Sequence, residues 1–382
     1  AEFYPDLRKQ VGGFDTRIRE LESGRQPEPR IQALWDRGSP SPTYIYRRGD
    51  SQTPGKLVGP GVPSVLTDGK TPFEVAPPWP GAQKTGRRLA FAKWITKPDH
   101  PLTARVAVNR VWKLHFGAGI VKTLGNFGKT GSPPSHPELL DWLAGEFTRN
   151  GWSTKSLHRM ILCSATYKQD SLVGQSLVEK DPDNRLLSRM PMQRLDAEAL
   201  YDSMLLVSGR LDERRFGPAD RVQGRADGLV TPAESAKGWR RLIYIRQARK
   251  EVATHLETFD FPQMNPNCIE RRDSIVAPQA LHMMNNRMVF DLAGAFAKRV
   301  KTEVGIDPGK QIERVYQIAL SRTPNRDELD LGVATLGQLA GMGARLAVQG
   351  ESDETRESKA KEKALTSFCH AILNSAEFLY VD

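Results

Sequence analysis

Cysteine is scarce in this 382-residue chain: Cys163, Cys268 and Cys369 lie far apart and form no C-x-x-C. That excludes a local zinc knuckle, a thioredoxin motif and a c-type haem attachment site within the chain, and leaves a single disulfide open. No apolar run reaches the roughly 18 to 20 residues that a membrane-spanning helix needs. The opening AEFYPDLRKQ has no apolar core of a signal peptide, so the expectation is either a cytosolic protein or a fragment whose export signal lies upstream. Also missing are a G-x-S-x-G elbow, a G-x-x-x-x-G-K-[ST] loop and a G-x-G-x-x-G after a strand. Their absence argues against the familiar hydrolase, ATPase and dehydrogenase designs. A formal charge of +10 would suit an anionic partner, and arginine outnumbers lysine. The basic residues are dispersed among acids with no long cationic block, which argues against nucleic acid as a ligand. No repeat of fixed period is visible.

What is present is helical periodicity. Phe3, Leu7, Val11, Phe14, Ile18 and Leu21 recur at three- and four-residue steps, which predicts an amphipathic helix ending before Gly24 and packed on the body of the protein or on something preceding it. From Gln26 to about Gln83 frequent proline and glycine forbid long helices, and alternation in IQALWDRG and PTYIYRRGD predicts a small β and loop region. The RGD at 48–50 is short enough to arise by chance. Helices are expected from Gly86 to the KPDHP stop, over about 102–116, 193–208, 278–303, 309–321, 326–342 and 356–377. Leu195, Ala199, Met204 and Leu206 are the expected buried residues of the 193–208 helix. Residues 212–238 read as a long exposed loop, and RRLIYIRQAR as one strand that could pair with TYIYR. The segment 345–363, rich in charge, reads as a peripheral insertion.

The stretch SPPSHPELLDWLAGEFTRNGWSTKSLHRMILCSATYKQ concentrates histidine, cysteine and carboxylates. Ser135, Pro137 and Glu138 read as a capping box, and Ser153 as the cap of a second helix, so the unit is a helical hairpin. His136 and Cys163 fit that architecture, and no H-x-x-x-H ligand spacing occurs, so no metal is expected. His158 and Arg159 fall on a polar face and remain candidates for chemistry. Arg105 and Asn109 share one helical face, with Arg110 and His115 nearby. Arg194, Asp196, Glu198 and Asp202 form one segment, and Arg271, Arg272, Asp273 and Gln279 stand near a helix start. Such groups either brace helices through charge-assisted hydrogen bonds or line an anion-binding cleft. For an enzyme, the acid and base candidates are His158, Asp196, Asp260 and Asp273. For a binding module, the contact candidates are Arg105, Asn109, Arg110, Arg159, Arg194, Arg271 and Arg272.

The ordered motifs NRVWKLHFGAGIV, FGKTGSPPSHPELLDWLAGEF, GWSTKSLHRMILCSATYKQ, DPDNRLLSRMPMQRLDAEALYDSMLLVSG, FDFPQMNPNCIERRDSIVAPQALHMMNN and ILNSAEFLYVD resemble the C-terminal domain of large exported planctomycete proteins, a domain of unknown function (1553, PSD-type) associated with c-type cytochromes. The likeness runs from about residue 88 to 382. It implies an export signal, a cytochrome c module and a second domain upstream, a periplasmic or extracellular setting, and organisms rich in polysaccharide utilisation. It implies haem c only in an upstream module or partner, and no cofactor in this chain. It carries over no agreed catalytic residues.

The expectation is therefore a mainly α-helical globular body with a small β and loop N-terminal region: a helix over 1–24, a Pro/Gly-rich segment over 25–84 and a helical domain over 85–382. Its expected function is that of a non-catalytic structural or interaction module of a cytochrome c-linked system, contacting an anionic glycan. The alternative is a carbohydrate-active enzyme using His and Asp groups in an arginine-lined cleft.

Overall fold

Long stretches with apolar residues at three- and four-residue steps become helices, and short β ladders serve only to tie their ends. The computed structural model describes residues 5–24, 40–226, 228–233, 238–248, 251–262, 268–271, 274–345 and 352–381. Arg272 and Asp273 lie outside the described residues, as does IQALWDRG. The chain divides into two compact units, Ala1–His100 and Pro101–Asp382. Fourteen α-helices and only two-stranded sheets occur among the described residues, a mainly α fold. None of these helices is long and apolar enough to cross a membrane.

The first unit holds α1 (Pro5–Gly24), an antiparallel hairpin of β1 (Thr43–Tyr46) and β2 (Pro54–Val58) with Thr43 opposite Val58, and α2 (Arg87–Ile95). Gly86, with φ 72°, opens α2 where a Cβ would collide with the carbonyl of Ala76. Val11, Phe14, Ile18 and Leu21 of α1 are all exposed.

The second unit carries two buried clusters. One joins α3 (Thr103–Phe116), α4 (Pro137–Arg149) and α5 (Thr154–Leu162) through Val108, Trp112, Leu143, Phe147, Leu157 and Ile161. Gly117, in the left-handed region, closes α3. Ser153 caps α5 by accepting from the Ser156 N–H, as its sequence predicts. The capping box at Ser135 is overturned: Pro137 takes the first helical position, which makes His136 the N-cap, and Ser135 is tied to the Ile120 carbonyl instead.

After α6 (Gln175–Lys180) comes β3 (Gln193–Arg194), then α7 (Ala197–Ser208). Short ladders follow: β4 (Leu211–Asp212), β5 (Val222–Gly224), β6 (Val230–Pro232) and β7 (Trp239–Arg240), with β4 parallel to β7 and β5 antiparallel to β6. The chain continues through α8 (Thr254–Thr258), α9 (Ala277–Asn285), α10 (Arg287–Val304), α11 (Pro308–Leu320), α12 (Arg326–Arg345), α13 (Asp353–Leu373), α14 (Ala376–Leu379) and β8 (Tyr380–Val381). The larger cluster lies among α7, α10 and α13, around Leu200, Tyr201, Leu292, Phe296, Phe368 and Leu373.

Four expectations are corrected here. The 193–208 helix starts later because Gln193 and Arg194 pair with β8, and its inward face is Leu200, Tyr201 and Met204, while Ala199 and Leu206 are exposed. RRLIYIRQAR is a 3-10 turn over Leu242–Tyr244 after β7 and does not pair with TYIYR; β1 has β2 as its partner. Residues 212–238 hold short strands organised by Arg240, whose fully buried guanidinium donates to the carbonyls of Arg214, Phe216 and Pro218 and stacks 4.1 Å from the Tyr244 ring. The helix expected over 278–303 breaks at Asn286, whose side chain accepts from Met288 N–H to start α10. All three cysteines are free: Cys163 and Cys268 exposed, Cys369 buried.

Candidate functional site

β3 brings Arg194 into the interior because its neighbours are pinned: Leu195 N–H donates to Leu379, and Gln193 donates through its side chain to the His115 carbonyl. The Arg194 side chain is only 7% exposed. Its Nη2 donates to Asp260 Oδ2 at 2.8 Å and its guanidinium lies 5.1 Å from the Phe259 ring centre. Its Nε and Nη1 are buried and meet no acceptor among the described residues. A buried donor without a partner costs about 1 to 3 kcal/mol, so this position is unusual.

Asp260 follows the short helix α8 and holds a left-handed backbone, φ 62°. A β-branched residue at this position would resist that geometry, whereas aspartate tolerates it. Its carboxylate accepts from Ser274 N–H at 2.9 Å, from Ser274 Oγ at 2.7 Å and from Gln279 Nε2 at 3.2 Å. Burial alone pushes this carboxyl up, but the Ser274 hydrogen bonds and the Arg194 charge outweigh it and hold the group below the usual carboxylate range.

Next to the Phe259-Asp260-Phe261 segment stands Arg271. Its fork grips Glu198 through two 2.7 Å bonds, reaches Asp196 at 3.4 Å, and lies 5.8 Å from the Phe261 ring. Glu198, in the first turn of α7, is pushed up by burial and held low overall by Arg271.

Behind these groups α8 and α9 bring two imidazoles together. His255 Nε2 lies 3.0 Å from the Ala197 carbonyl, which can only accept, so His255 donates there and turns its Nδ1 lone pair toward His282 Nε2, 3.4 Å away. Burial, and next the neighbouring His282, push His255 down to about 3; burial pushes His282 down to about 4. A cavity of about 20 Å³, the size of one water, lies against Tyr201, His255, His282 and Asn286. The Tyr201 hydroxyl is buried and has no hydrogen-bond partner among the described residues.

The other residues singled out by sequence fall elsewhere. Arg105 bonds Asp141 at 2.6 Å and the Pro101 carbonyl, on the wall of an open cleft of about 540 Å³ that also includes Lys129. Asn109 is fully buried, and its amide exchanges both hydrogen bonds with the Val121 backbone, fastening the loop after α3. Arg110 and Arg159 are exposed. His158 Nδ1 lies 2.8 Å from His115 Nε2, joining α5 to α3. The structure thus gathers Arg194, Asp196, Asp260 and Arg271 in one place and keeps Arg105, Asn109 and His158 apart from them. Sequence reasoning missed Ser274, His255, His282 and the two phenylalanines, which carry no motif spacing. No group of three or more metal-binding side chains occurs among the described residues.

A family model described as Protein of unknown function (DUF1553) matches residues 87–336, more than half of the chain. Neither a curated protein nor a solved structure matches it.

Proposed function

The chain belongs to the DUF1553 family of proteins of unknown function, and from that premise we propose that it is a non-catalytic binding module that takes an anionic group, a sulfate or carboxylate of a polysaccharide, at the Arg194–Arg271 cluster. The observation that carries this reading is the Arg194 guanidinium, with two buried nitrogens, Nε and Nη1, that meet no acceptor among the described residues. An oxyanion offers the acceptors these donors lack, and the planar fork suits it. The carboxylates at hand are engaged: Asp260 by Arg194, Ser274 and Gln279, Glu198 by Arg271. Asp260 and Glu198 are therefore committed to these arginines and not held as the free acid and base pair that glycoside hydrolysis needs. The setting proposed is an exported, planctomycete-type system linked to a cytochrome c, with haem in an upstream module or a partner, and polysaccharide utilisation as its purpose.

The test is binding to sulfated, uronic and neutral glycans at low and moderate salt. Preferential, salt-sensitive binding of the charged glycans, weakened by Arg194→Lys in a variant that melts normally, is the expected result. Equal failure to bind all classes removes the glycan. A second reading, an enzyme acting on carbohydrate, draws on the left-handed backbone of Asp260 beside a pair of neutral imidazoles. Release of reducing ends from a polysaccharide, lost in Asp260→Asn, would replace the first reading with this one.

A further inference from the structure

Helix α1 shows a seam without a cover. Val11, Phe14, Ile18 and Leu21 are 51%, 69%, 51% and 62% exposed, and Leu7 extends the same register in sequence. The steps are four, three, four and three, the 3.5-residue period of a coiled coil, narrower than the broad stripe of a helix lying on a globular core. Among the described residues of the Ala1–His100 unit no hydrophobic residue is buried. The helix also contains Gly12 and Gly13, each costing about 1 kcal/mol relative to alanine. A 20-residue helix with that handicap is marginal alone in water, so its stability calls for a partner along the seam.

We infer that α1 is one strand of a parallel, two-stranded coiled coil formed with a second copy of this chain. Placing Val11 and Ile18 at the a positions puts Leu7, Phe14 and Leu21 at d. β-branched residues at a with leucine at d favour two parallel strands. The flanking positions fit a copy of the same helix. Gln10 and Arg17 occupy g, and Asp15 and Glu22 occupy e. In a parallel dimer g faces the partner's e five residues on, so Arg17 meets Glu22 twice and Gln10 meets Asp15, with no like charges opposed. An antiparallel pairing centred on the same seam would set Asp15 against its own copy. Gly12 and Gly13 fall at b and c and face outward. Within one helix Arg17 reaches Glu20 at 3.1 Å, but that pair is well exposed and weak enough to yield to the intermolecular one. A lipid surface fits less well, because the polar face mixes Asp15, Glu20 and Glu22 with its arginines and the apolar seam is narrow.

Sedimentation of the full chain from low to high micromolar concentration tests this. The expected result is a monomer–dimer equilibrium that Ile18→Asp abolishes without moving the melting of the rest of the chain. Arg17→Glu weakens the dimer, and Arg17→Glu combined with Glu22→Arg restores it. In an Ile18→Cys variant, oxidation joins residue 18 to residue 18 of the second copy, identified by peptide mass. A wild-type chain that stays monomeric throughout, or a dimer indifferent to Ile18→Asp, overturns the inference; failure of the charge swap to rescue, or of the 18-to-18 link to form, overturns the parallel arrangement.

Discussion

Asp260 is the residue on which the proposed site rests, because it is the sole acceptor among the described residues for the buried Arg194. Removing it strands a guanidinium with only a 7% exposed side chain, so Asp260→Ala should lower stability by about 3 kcal/mol in chemical denaturation. Adding Arg194→Met should recover part of that loss, since the double change removes the charge as well; simple additivity would refute the coupling. The histidines set a separate pH dependence. His255 and His282 lie well below their ordinary value of 6.5 in the folded chain, so the unfolded chain binds protons that the folded one refuses. Their contribution is complete above pH 6.5 and declines as pH falls toward 4, by up to about 1.4 kcal/mol per pH unit for each group. Asp260 acts lower: its contribution is present above the unfolded carboxylate value and is lost as pH falls through its depressed folded value. Denaturation midpoints measured from pH 7 to 5 should therefore drop in the wild type and flatten in His282→Leu; an unchanged slope would count against a neutral buried pair. Arg194, Asp196, Asp260 and Arg271 were legible as chemistry because arginine and aspartate are conspicuous in sequence. His255 and His282 were not, since 27 residues separate them and only the packing of α8 on α9 makes them neighbours.

At the scale of elements, two serines with similar sequence surroundings behave differently. Ser153 satisfies a free N–H at the start of α5, so Ser153→Ala should cost about 1 kcal/mol, read as a shift in urea midpoint with unchanged slope. Ser135 does not cap α4; its hydroxyl lies 3.0 Å from Nδ1 of the adjacent His136 and reaches the Ile120 carbonyl only at 3.4 Å, a long contact. Ser135→Ala should therefore move the midpoint by less than half as much, and equal effects would reinstate the capping box. The difference comes from Pro137, whose fixed φ selects the first helical position regardless of the hydroxyl two residues before it. The same logic explains what the sequence pattern could and could not foretell elsewhere. Asn325 and Glu328 start α12 reciprocally, each side chain accepting from the other's backbone N–H, even though Arg322 also holds Glu328 and the distant Glu377. The helical pattern extends back to residue 193, yet α7 starts later because Gln193 and Arg194 are claimed by β8, nearly two hundred residues away in sequence. RRLIYIRQAR alternates like a strand, yet Asp202 accepts from the Leu242 N–H, and the Tyr244 and Ile245 N–H groups close back on the Arg241 and Leu242 carbonyls, which bends the segment into a turn. Local signals located the helices; long-range pairing decided where they stop.

At the scale of the molecule, apolar burial is divided unequally. Both buried clusters lie wholly within Pro101–Asp382, whereas the described part of Ala1–His100 contributes no buried hydrophobic residue. Since apolar burial supplies the main stabilising term, at roughly 25 cal/mol per Å², cooperative unfolding should belong to the second unit. The first unit depends on local hydrogen bonds, such as the β1–β2 ladder and the turn in which Asp68 accepts from Lys70 and Thr71. Segments held this way open at low free energy and are cut first by proteases. Brief trypsin digestion under native conditions should therefore remove residues before about Lys97 and leave a resistant fragment containing α3 to α14. That fragment should retain the main melting transition and, if the Arg194–Arg271 cluster binds anions, the glycan affinity as well, while losing any self-association that depends on α1. Cleavage inside α7, α10 or α13 before the first unit is lost would contradict this division of stability. The two proposals are separable for that reason: the anion site stands on the buried clusters of Pro101–Asp382, and the coiled coil on α1 of the other unit.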